Sequence, residues 1–448
     1  MRPLLVLAVL APLVLAGCAQ PAAVEDPVAP AAQPPAPFAR VVAVLDPAGG
    51  HGEPSFGAAP DGTLFANGEG GRGGSIYKSV DNGTTWEKVG TPNEPMINGD
   101  PDLAVDKDGT VWFSGLWIGC SAVAVSRDAG ATWTSNPASC NAPVSDRQYV
   151  VPTSGGTAYL YSHQLPTFWQ IAAKTTDYGQ TWIPTGPVET PDHHLLVNGG
   201  TGWGGGGFWN EAKDSVFFTW TWFENDPTDP MGAGSWSPGF GVTRDGGATW
   251  QTGVAPGNGG RQLGLGLVTG AADDAGNVYL AWGEALSDED VGIFLAVSSD
   301  DGATWRGPFR VDAAQGSVVF PTVTAGQAGR VAVAYYAADK AAFPSDVGDD
   351  ALWNVTLAWT GDALAESPVF ERAQLSAGPV KKGAICIDGT TCRGDREFAD
   401  YFQVHRLPDG RVGAIYNSLL DVEGALVEVF AATEEALLGE KAATSTTA

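Results

Sequence analysis

Ionisable residues stand at or just before the starts of several strand-like segments. Arginine stays charged at any working pH and can bind a carboxylate through two parallel hydrogen bonds. Carboxylic acids can transfer protons, and a tyrosine beside a carboxylate can act as a nucleophile. We interpret eight such residues as candidate binding and catalytic residues: Glu53, Asp100, Asp146, Arg147, Arg261, Arg396, Asp400 and Tyr401. The alternative is that they are solvated loop charges or ion pairs lining a channel.

A repeated octapeptide indicates the elements that position these residues. The pattern [ST]-x-D-x-G-x-T-W recurs five times, at Ser79–Trp86, Ser126–Trp133, Thr175–Trp182, Thr243–Trp250 and Ser298–Trp305. Its aspartate can accept hydrogen bonds from turn amides, and its glycine can adopt the left-handed conformation that reverses the chain. Its tryptophan can pack against a neighbouring sheet. We therefore expect five hairpins with structural aspartates: Asp81, Asp128, Asp177, Asp245 and Asp300. A calcium site is disfavoured because each octapeptide offers too few oxygen ligands.

The octapeptides resemble the Asp-box, or BNR repeat, of sialidase-like β-propellers. The resemblance implies an all-β fold, a single β-propeller of four-stranded antiparallel blades, with the boxes on its outer rim away from the active site. Counting strand–turn–strand–hairpin units gives seven blades, and six is the alternative. We expect the propeller to span residues 39–433, with the early strand Arg40–Leu45 completing the last blade and closing the ring.

The same resemblance suggests roles for the candidate residues. Sialidases hold the substrate carboxylate with three arginines and use a tyrosine–glutamate nucleophile pair. By order along the chain, Arg147, Arg261 and Arg396 correspond to that triad and Tyr401 to the nucleophile, with Glu53 or Asp100 beside it. The F/Y-R-I-P segment of sialidases is missing from this sequence, which puts sialidase activity in doubt.

A glycine-rich stretch marks the fourth unit. Gly199–Gly207 contains seven glycines, followed by Phe208 and Trp209. Glycine permits close backbone approach, either at the narrow propeller axis or beneath a bound ligand. No Lys-Ser/Thr pair follows, so a phosphate-binding loop is disfavoured.

The charge balance excludes some partners. The 448 residues include 51 acids and 24 Lys and Arg, giving a net charge of −27. A protein with no basic surplus does not bind nucleic acid through its phosphates, nor anionic lipid by charge. We expect a monomer without a cofactor that binds a glycan or protein ligand.

The N-terminus is typical of an exported lipoprotein. A mostly apolar run from Leu4 to Ala16 is too short to span a bilayer, and Leu15–Cys18 resembles a lipobox. We predict a signal peptide at 1–17, acylation of Cys18, a Pro/Ala-rich tether at 18–38 and a flexible tail at 434–448. The predicted location is extracytoplasmic, anchored to a membrane. An ordinary signal peptide with an incidental cysteine is the alternative.

Four further cysteines suggest disulfides in an exported chain. The simplest of three possible connectivities joins Cys120 to Cys140 and Cys386 to Cys392. Zinc is disfavoured because no CxxC spacing or nearby histidine accompanies them.

Three classes of function remain open from the sequence. They are a non-catalytic lipoprotein that binds a glycan or protein, an exo-acting glycoside hydrolase on surface glycans, and an envelope assembly factor. A convergent tyrosine–carboxylate pair would favour the hydrolase, and a mouth sealed by packed side chains would favour the assembly factor.

The lipobox hypothesis predicts that Cys18→Ala releases the protein from membranes, because the acyl chains on Cys18 supply the anchor. Membrane fractionation and labelling with palmitate measure this. A wild-type protein that never incorporates palmitate would contradict the hypothesis.

Overall fold

The computed structural model describes one compact unit within Pro37–Ala448. The described residues are 38–45, 53–68, 75–90, 99–117, 120–138, 140, 145–164, 169–190, 200–223, 236–263, 267–387, 392–394, 396, 398, 400–420, 424–432 and 438. The predicted signal peptide, Cys18 and nearly all of the tether lie outside them. No helix in this part of the chain is long and apolar enough to cross a membrane.

The described strands form antiparallel sheets, as the sequence predicted. The first three sheets are built from strands that are consecutive in sequence. Blade 1 contains β2–β5: Ser55–Ala58, Leu64–Gly68, Ser75–Ser79 and Glu87–Gly90. Blade 2 contains β6–β9: Asp102–Val105, Val111–Trp117, Cys120–Ser126 and Thr134–Ala138. Blade 3 contains β10–β13: Ser145–Pro152, Ala158–Gln164, Trp169–Thr175 and Ile183–Pro184.

The next three sheets follow the same order, two of them with an extra strand. Blade 4 contains β14–β17: Gly200–Asn210, Ser215–Phe223, Trp236–Thr243 and Gln251–Val254, with a 3-10 turn at Glu211–Lys213. Blade 5 contains β18–β22: Arg261–Gln262, Thr269–Ala272, Val278–Ala285, Val291–Ser298 and Arg306–Arg310. Blade 6 contains β23–β27: Val318–Ala325, Val331–Ala338, Leu352–Thr360, Glu371–Gln374 and Lys381–Lys382.

Both ends of the chain form the remaining sheet among the described strands, which we call the closing sheet. It contains β28, β29 and β30, followed by β1: Gln403–Arg406, Val412–Ser418, Gly424–Ala432 and Phe38–Leu45. Strand β1 pairs with β30 from Phe38 opposite Ala432 to Leu45 opposite Ala425. The N-terminal strand therefore closes the ring, as expected.

The sheets contact one another through their first strands. These contacts run from β2 to β6, β10, β14, β19, β23, β28 and back to β2, so the ring is continuous. The six blades made of consecutive strands match the alternative count of six. The closing sheet, shared by the two chain ends, occupies the position between blade 6 and blade 1.

Apolar side chains between neighbouring sheets form the core. Phe65, Ile76 and Leu103 belong to one buried cluster that joins blades 1 and 2. Phe217, Phe240 and other buried side chains from blades 4 and 5 form another. The glycine run packs closely: a Cβ at Gly205 would lie 2.3 Å from the Val268 carbonyl oxygen. Close backbone approach between blades 4 and 5 therefore explains this glycine.

All five octapeptides form the same turn between the third and fourth strands of their blades. In the first, the Asp81 carboxylate accepts bonds from the Thr85 amide at 2.8 Å and the Thr85 hydroxyl at 2.7 Å. The Ser79 hydroxyl accepts from the Gly83 amide at 2.8 Å, and Gly83 has a φ of 84°. The Trp86 ring packs against the buried cluster of Phe56 and Ile415. The turn geometry gives these aspartates a structural role.

The disulfides agree with export. Cys386 and Cys392 are joined by a disulfide, as predicted. Cys140 is also disulfide-bonded, while the side chain of its predicted partner Cys120 lies outside the described residues. Disulfides persist in oxidising compartments, which indicates an extracytoplasmic protein.

One residue of the predicted flexible tail is held in place. Leu438 is fully buried, its carbonyl accepts from the Gln327 amide at 2.8 Å, and its amide donates to the Gly410 carbonyl at 3.1 Å. Gln327 lies in the β23–β24 turn and Gly410 in the β28–β29 turn. Leu438 therefore connects the β23–β24 turn of blade 6 to the β28–β29 turn of the closing sheet.

The octapeptide turns predict the effect of a single hydroxyl. Ser126→Ala should lower the free energy of unfolding by about 1–3 kcal/mol, because it leaves the buried amide of Gly130 without its acceptor. Chemical denaturation measures the loss. Ser126→Thr is the matched control, since the third and fourth octapeptides carry Thr175 and Thr243 here. Equal stability of the alanine variant and the wild type would contradict this role.

Candidate functional site

A cluster of ionisable residues lies where the first strands of blades 1–3 begin. We call it the mouth cluster, and it consists of Glu53, Asp100, Asp146, Arg147, Tyr149, Arg396 and Asp400. Glu53 and Asp100 lie two residues before the first residues of β2 and β6, and Asp146, Arg147 and Tyr149 lie in β10. Arg396 and Asp400 precede β28. Residues distant in sequence therefore meet because the ring brings the starts of these strands together.

A repeated backbone conformation orients the cluster. Glu53, Asp100 and Arg147 have φ angles of 45°, 47° and 51°, in the left-handed region that non-glycine residues rarely adopt. Phe320 of blade 6 has the same conformation, with φ at 53°. In blade 3 the pairing register shifts between Asp146 and Tyr149, so Arg147 lies in a bulge. Such strained positions persist only when the surrounding structure holds them, and they concentrate at functional sites.

Arg147 is the centre of the ion pairs. Its Nη2 donates to Asp400 Oδ2, and the side chains are only 3% and 5% exposed. Arg396 Nη2 donates to the same oxygen at 2.6 Å from a side chain that is 35% exposed. The Arg147 backbone amide donates to Asp146 Oδ1 at 3.0 Å. Two guanidinium groups therefore share one buried carboxylate.

Several carboxyl groups lie beside Arg147. The Arg147 backbone amide donates to Asp100 Oδ2 at 3.4 Å as well as to Asp146 Oδ1, so these two carboxyl groups lie close together. Burial, followed by repulsion from Asp100 and Asp400, raises the pKa of Glu53 well above its ordinary value. Burial and Asp146 also raise the pKa of Asp100. Both shifts favour a protonated carboxyl group in the mouth cluster.

Several buried polar atoms of the cluster lack a partner among the described residues. They are Glu53 Oε2, Arg147 Nη1, Tyr149 Oη and Arg396 Nε. Burying such a group without a hydrogen bond is costly, so these atoms are available to a ligand or to ordered water. Asp146 and Arg396 are partly exposed, which opens the cluster to solvent on one side.

Tyr401 has a different role from the predicted nucleophile position. It is buried, and its hydroxyl donates to the Pro101 carbonyl at 2.8 Å. The ring of Tyr149 lies beside it, with centroids 5.8 Å apart. Burial raises the pKa of both tyrosines. The tyrosine whose hydroxyl is available in the mouth cluster is Tyr149. Its position in an apolar strand predicts a core residue, so it is not among the candidates that the sequence indicates.

Arg261 is not brought together with the cluster. Its guanidinium stacks over the Phe343 ring at 3.7 Å and lies 3.4 Å from Asp288, and its side chain is 46% exposed. The first strand of blade 5 is interrupted after β18, and β19 makes the contacts with neighbouring blades. The residue pattern predicts an uninterrupted inner strand that starts at Arg261, and the interruption after β18 explains why Arg261 lies apart from the mouth cluster.

A network of side chains lies beneath the cluster and joins four sheets. Gln403 accepts from the Phe56 amide and donates to Asp102 Oδ1, both at 2.8 Å. Asp102 Oδ2 accepts from the Val150 amide at 2.8 Å. Two side chains thereby connect the closing sheet to blades 1, 2 and 3.

His163 lies behind Asp146. Its Nε2 is 3.6 Å from Asp146 Oδ2, and burial followed by the charge of Arg147 lowers the pKa of His163 to about 3. The imidazole is therefore neutral at physiological pH. Among the described residues no group of three His, Cys, Asp or Glu side chains could hold a metal ion.

Neither the family models nor the curated proteins include a match to this sequence. Solved structures with a similar fold include a fungal alcohol oxidase of the AA5 family in complex with copper, with a TM-score of 0.52, 12% identity and coverage of 88% of this chain and 76% of that one. They also include a PL25 polysaccharide lyase, an ulvan lyase, with a TM-score of 0.50, 13% identity and coverage of 85% and 93%. A Hadza microbial sialidase has a TM-score of 0.47, 14% identity and coverage of 83% and 74%. At these identities the similarity concerns the β-propeller fold alone.

The raised pKa of Asp102 predicts that the stability of the fold depends on pH. Burial raises its pKa from 3.8 to about 6. The folded protein then holds a proton that the unfolded chain releases near pH 3.8, so stability should fall as pH rises between these values. The change from this group is about 3 kcal/mol, since each pKa unit corresponds to about 1.4 kcal/mol.

Chemical denaturation at about pH 4.5 and about pH 7.5 should show about 2 kcal/mol of this change, since the part below pH 4.5 is not sampled. Asp102→Asn should reduce the difference because asparagine does not titrate. The octapeptide aspartates act in the opposite direction. Hydrogen bonds from Thr304 lower the pKa of Asp300 to about 2, so its contribution is lost only in stronger acid. Wild-type stability that rises from pH 4.5 to 7.5 would contradict the prediction for Asp102.

Proposed function

We propose that this protein is a cell-envelope lipoprotein whose β-propeller binds a glycan at the mouth cluster. The observation that carries this proposal is the set of buried polar atoms around Arg147 that lack partners among the described residues. They provide guanidinium donors, a carboxyl oxygen and a tyrosine hydroxyl within one small cluster. A ligand rich in hydroxyl or carboxylate oxygens can satisfy all of them.

The partly exposed side of the cluster supports binding over a purely structural role. The side chains of Asp146 and Arg396 are 24% and 35% exposed, while Arg147 and Asp400 behind them are buried. An assembly factor with a sealed mouth would not need charged groups at this partly open edge. The proposed anchor at Cys18 would hold the site outside the cytoplasm, where glycans are accessible.

A glycoside hydrolase acting on surface glycans is the second candidate. The observation that favours it is the available Tyr149 hydroxyl in the same buried cluster as Glu53 and Arg147. In this alternative Tyr149, and not Tyr401, is the candidate nucleophile. Assays with a panel of aryl glycosides distinguish hydrolysis from binding alone.

Arg147 is unsuitable for a test of binding, although it is central to the cluster. Arg147→Ala would leave Asp400 as a buried charge with less compensation, which costs about 3–5 kcal/mol of stability in other proteins. Loss of binding in that variant would therefore not distinguish a ligand contact from unfolding. A side chain without a protein partner is the better target.

The matched pair Tyr149→Phe and Tyr401→Phe tests the proposal. Tyr149→Phe removes a hydroxyl with no described protein partner, so melting should change little while binding weakens by about 0.5–1.5 kcal/mol. Tyr401→Phe removes the bond to Pro101, so melting should fall while the affinity of the folded protein is kept. A glycan array with the soluble fragment from Phe38 supplies the ligand, and calorimetry supplies the affinities.

Equal affinity of Tyr149→Phe and the wild type would contradict binding at the mouth cluster. Binding that is retained together with complete loss of glycoside hydrolysis in Tyr149→Phe would favour the hydrolase. A glycan array without any signal would overturn the glycan proposal itself.

A further inference from the structure

A chain of hydrogen bonds links the closing sheet to β10, the strand that carries Arg147 and Tyr149. The Gln403 side chain of β28 donates to Asp102 Oδ1 at 2.8 Å, and the Val150 amide of β10 donates to Asp102 Oδ2 at 2.8 Å. Asp102 is only 5% exposed and Val150 only 3%. One buried carboxyl group of blade 2 therefore holds a side chain of the closing sheet and the backbone of blade 3.

The backbone fixes the direction of the hydrogen bonds in this chain. The Phe56 amide can only donate, and it donates to Gln403 Oε1 at 2.8 Å. His405 Nε2 lies 3.2 Å from the same oxygen, which can only accept, so this nitrogen carries a hydrogen. The Gln403 amide nitrogen is thus directed at Asp102. Rotating this amide by half a turn would place donor against donor at Phe56 and at His405.

Asp102 must therefore accept through both of its carboxyl oxygens. One oxygen faces the Gln403 amide nitrogen and the other faces the Val150 amide, and both of these groups are donors. A carboxylate satisfies two donors at once, whereas a side-chain amide of the same shape presents a donor of its own to one of them. The contacts thus require a carboxylate at this position.

The Val150 amide lies at the end of the bulge that shapes the mouth cluster. The pairing of β10 with β11 shifts between Asp146 and Tyr149 and is regular from Tyr149 onward. The carbonyl of Tyr149 and the nitrogen of Val150 belong to one planar peptide group, so a bond to that nitrogen also orients the backbone of Tyr149. Within the bulge, Gln148 Nε2 donates to the Gly99 carbonyl at 3.1 Å. Blade 2 therefore holds the bulge at two points.

We propose that Asp102 and Gln403 are positioning residues for the mouth cluster, because they hold β10 where its Arg147 and Tyr149 side chains meet a ligand. The inference rests on the proposed function, since it assigns these residues a role in that site. Neither side chain needs to touch the ligand, because both act through the Val150 amide. Since Gln403 belongs to the closing sheet, the site is complete only when that sheet has joined blades 1 and 2.

Exchanging the two side-chain types tests the direction of the chain. Asp102→Asn places a donor against a donor, and Gln403→Glu places a second carboxyl group against Asp102, so each change alone should displace β10. In the double variant Asp102→Asn/Gln403→Glu, the introduced amide donates to the introduced carboxylate and still accepts from Val150. That carboxylate also accepts from the Phe56 amide. The double variant should therefore recover what each single variant loses.

Two measurements report the positioning without a ligand. Hydrogen exchange at the Phe56 and Val150 amides should be faster in each single variant and close to the wild type in the double variant. The NMR signal of the Tyr149 ring in protein with ¹³C-labelled tyrosine, assigned with Tyr149→Phe, should shift in the single variants and return in the double variant. Both are made at about pH 7.5, where Asp102 is ionised because its pKa is about 6.

Calorimetry with glucuronate at the same pH reports the effect on binding. Each single variant should bind glucuronate about 2- to 12-fold more weakly, which corresponds to one lost hydrogen bond. The double variant should return to the wild-type affinity.

Asp106→Asn is the matched control for a buried aspartate of the same blade. Asp106 is also 5% exposed and follows the other end of β6, where its carboxylate accepts from the Thr110 amide at 2.9 Å and from Trp112 Nε1 at 3.1 Å. This variant should lower the melting temperature, while the Tyr149 signal and the glucuronate affinity of the folded protein stay as in the wild type.

The outcomes separate this inference from the proposed function. Unchanged exchange and an unchanged Tyr149 signal in both single variants would overturn the positioning role, whether or not glucuronate binds. If a single variant fails to fold, the double variant decides, and a double variant that does not recover the wild-type signal overturns the assigned direction. A wild type that does not bind glucuronate, with the expected Tyr149 signals, would count against the proposed function and leave the positioning of Tyr149 supported.

Discussion

The pairing of β1 with β30 is the interaction on which the ring depends. A circle of twisted sheets leaves an open edge where the chain ends unless the two ends hydrogen-bond to each other, and here they pair over eight residues. At the inner end of the same sheet, Gln403 of β28 connects the closing sheet to blades 1 and 2 through the Phe56 amide and Asp102. The mouth cluster draws on blades 1, 2 and 3 and on the segment before β28. It can exist only when this junction is closed.

The closed ring also explains why the groups that form the site destabilise the fold. Residues at or just before the starts of the inner strands are removed from water, and this burial raises the pKa values of Glu53, Asp100 and Asp102. Ionising these groups destabilises the fold, whereas ionising the exposed octapeptide aspartates stabilises it. The octapeptide turns therefore stabilise the fold locally. This stability offsets the free-energy cost of the strained and buried polar groups in the mouth cluster. This division is consistent with the aspartates of the octapeptides having no part in binding.

Local patterns predicted the fold better than the site. The octapeptide turns are determined by bonds within eight residues, and the apolar Arg40–Leu45 segment needed a partner strand, so both could be predicted. The sequence also placed Glu53, Asp100, Arg147 and Asp400 together, because they lie at or just before the starts of inner strands. It misplaced Arg261, since the interruption between β18 and β19 depends on packing against blades 4 and 6. It missed Tyr149, which looks like any aromatic residue in a buried strand. The backbone conformation could not be predicted either, because Glu53, Asp100 and Phe320 adopt the left-handed conformation although each precedes a proline, which favours an extended residue before it.

The position of β1 has a consequence for how the protein is made. Ribosomes produce the N-terminal strand first, yet its partner β30 is the last strand of the propeller. Contacts this distant in sequence slow folding, because the chain loses loop entropy before it gains them. The ring cannot close until β30 has been synthesised. Until then β1 has no partner strand, and an edge of the unfinished propeller is exposed.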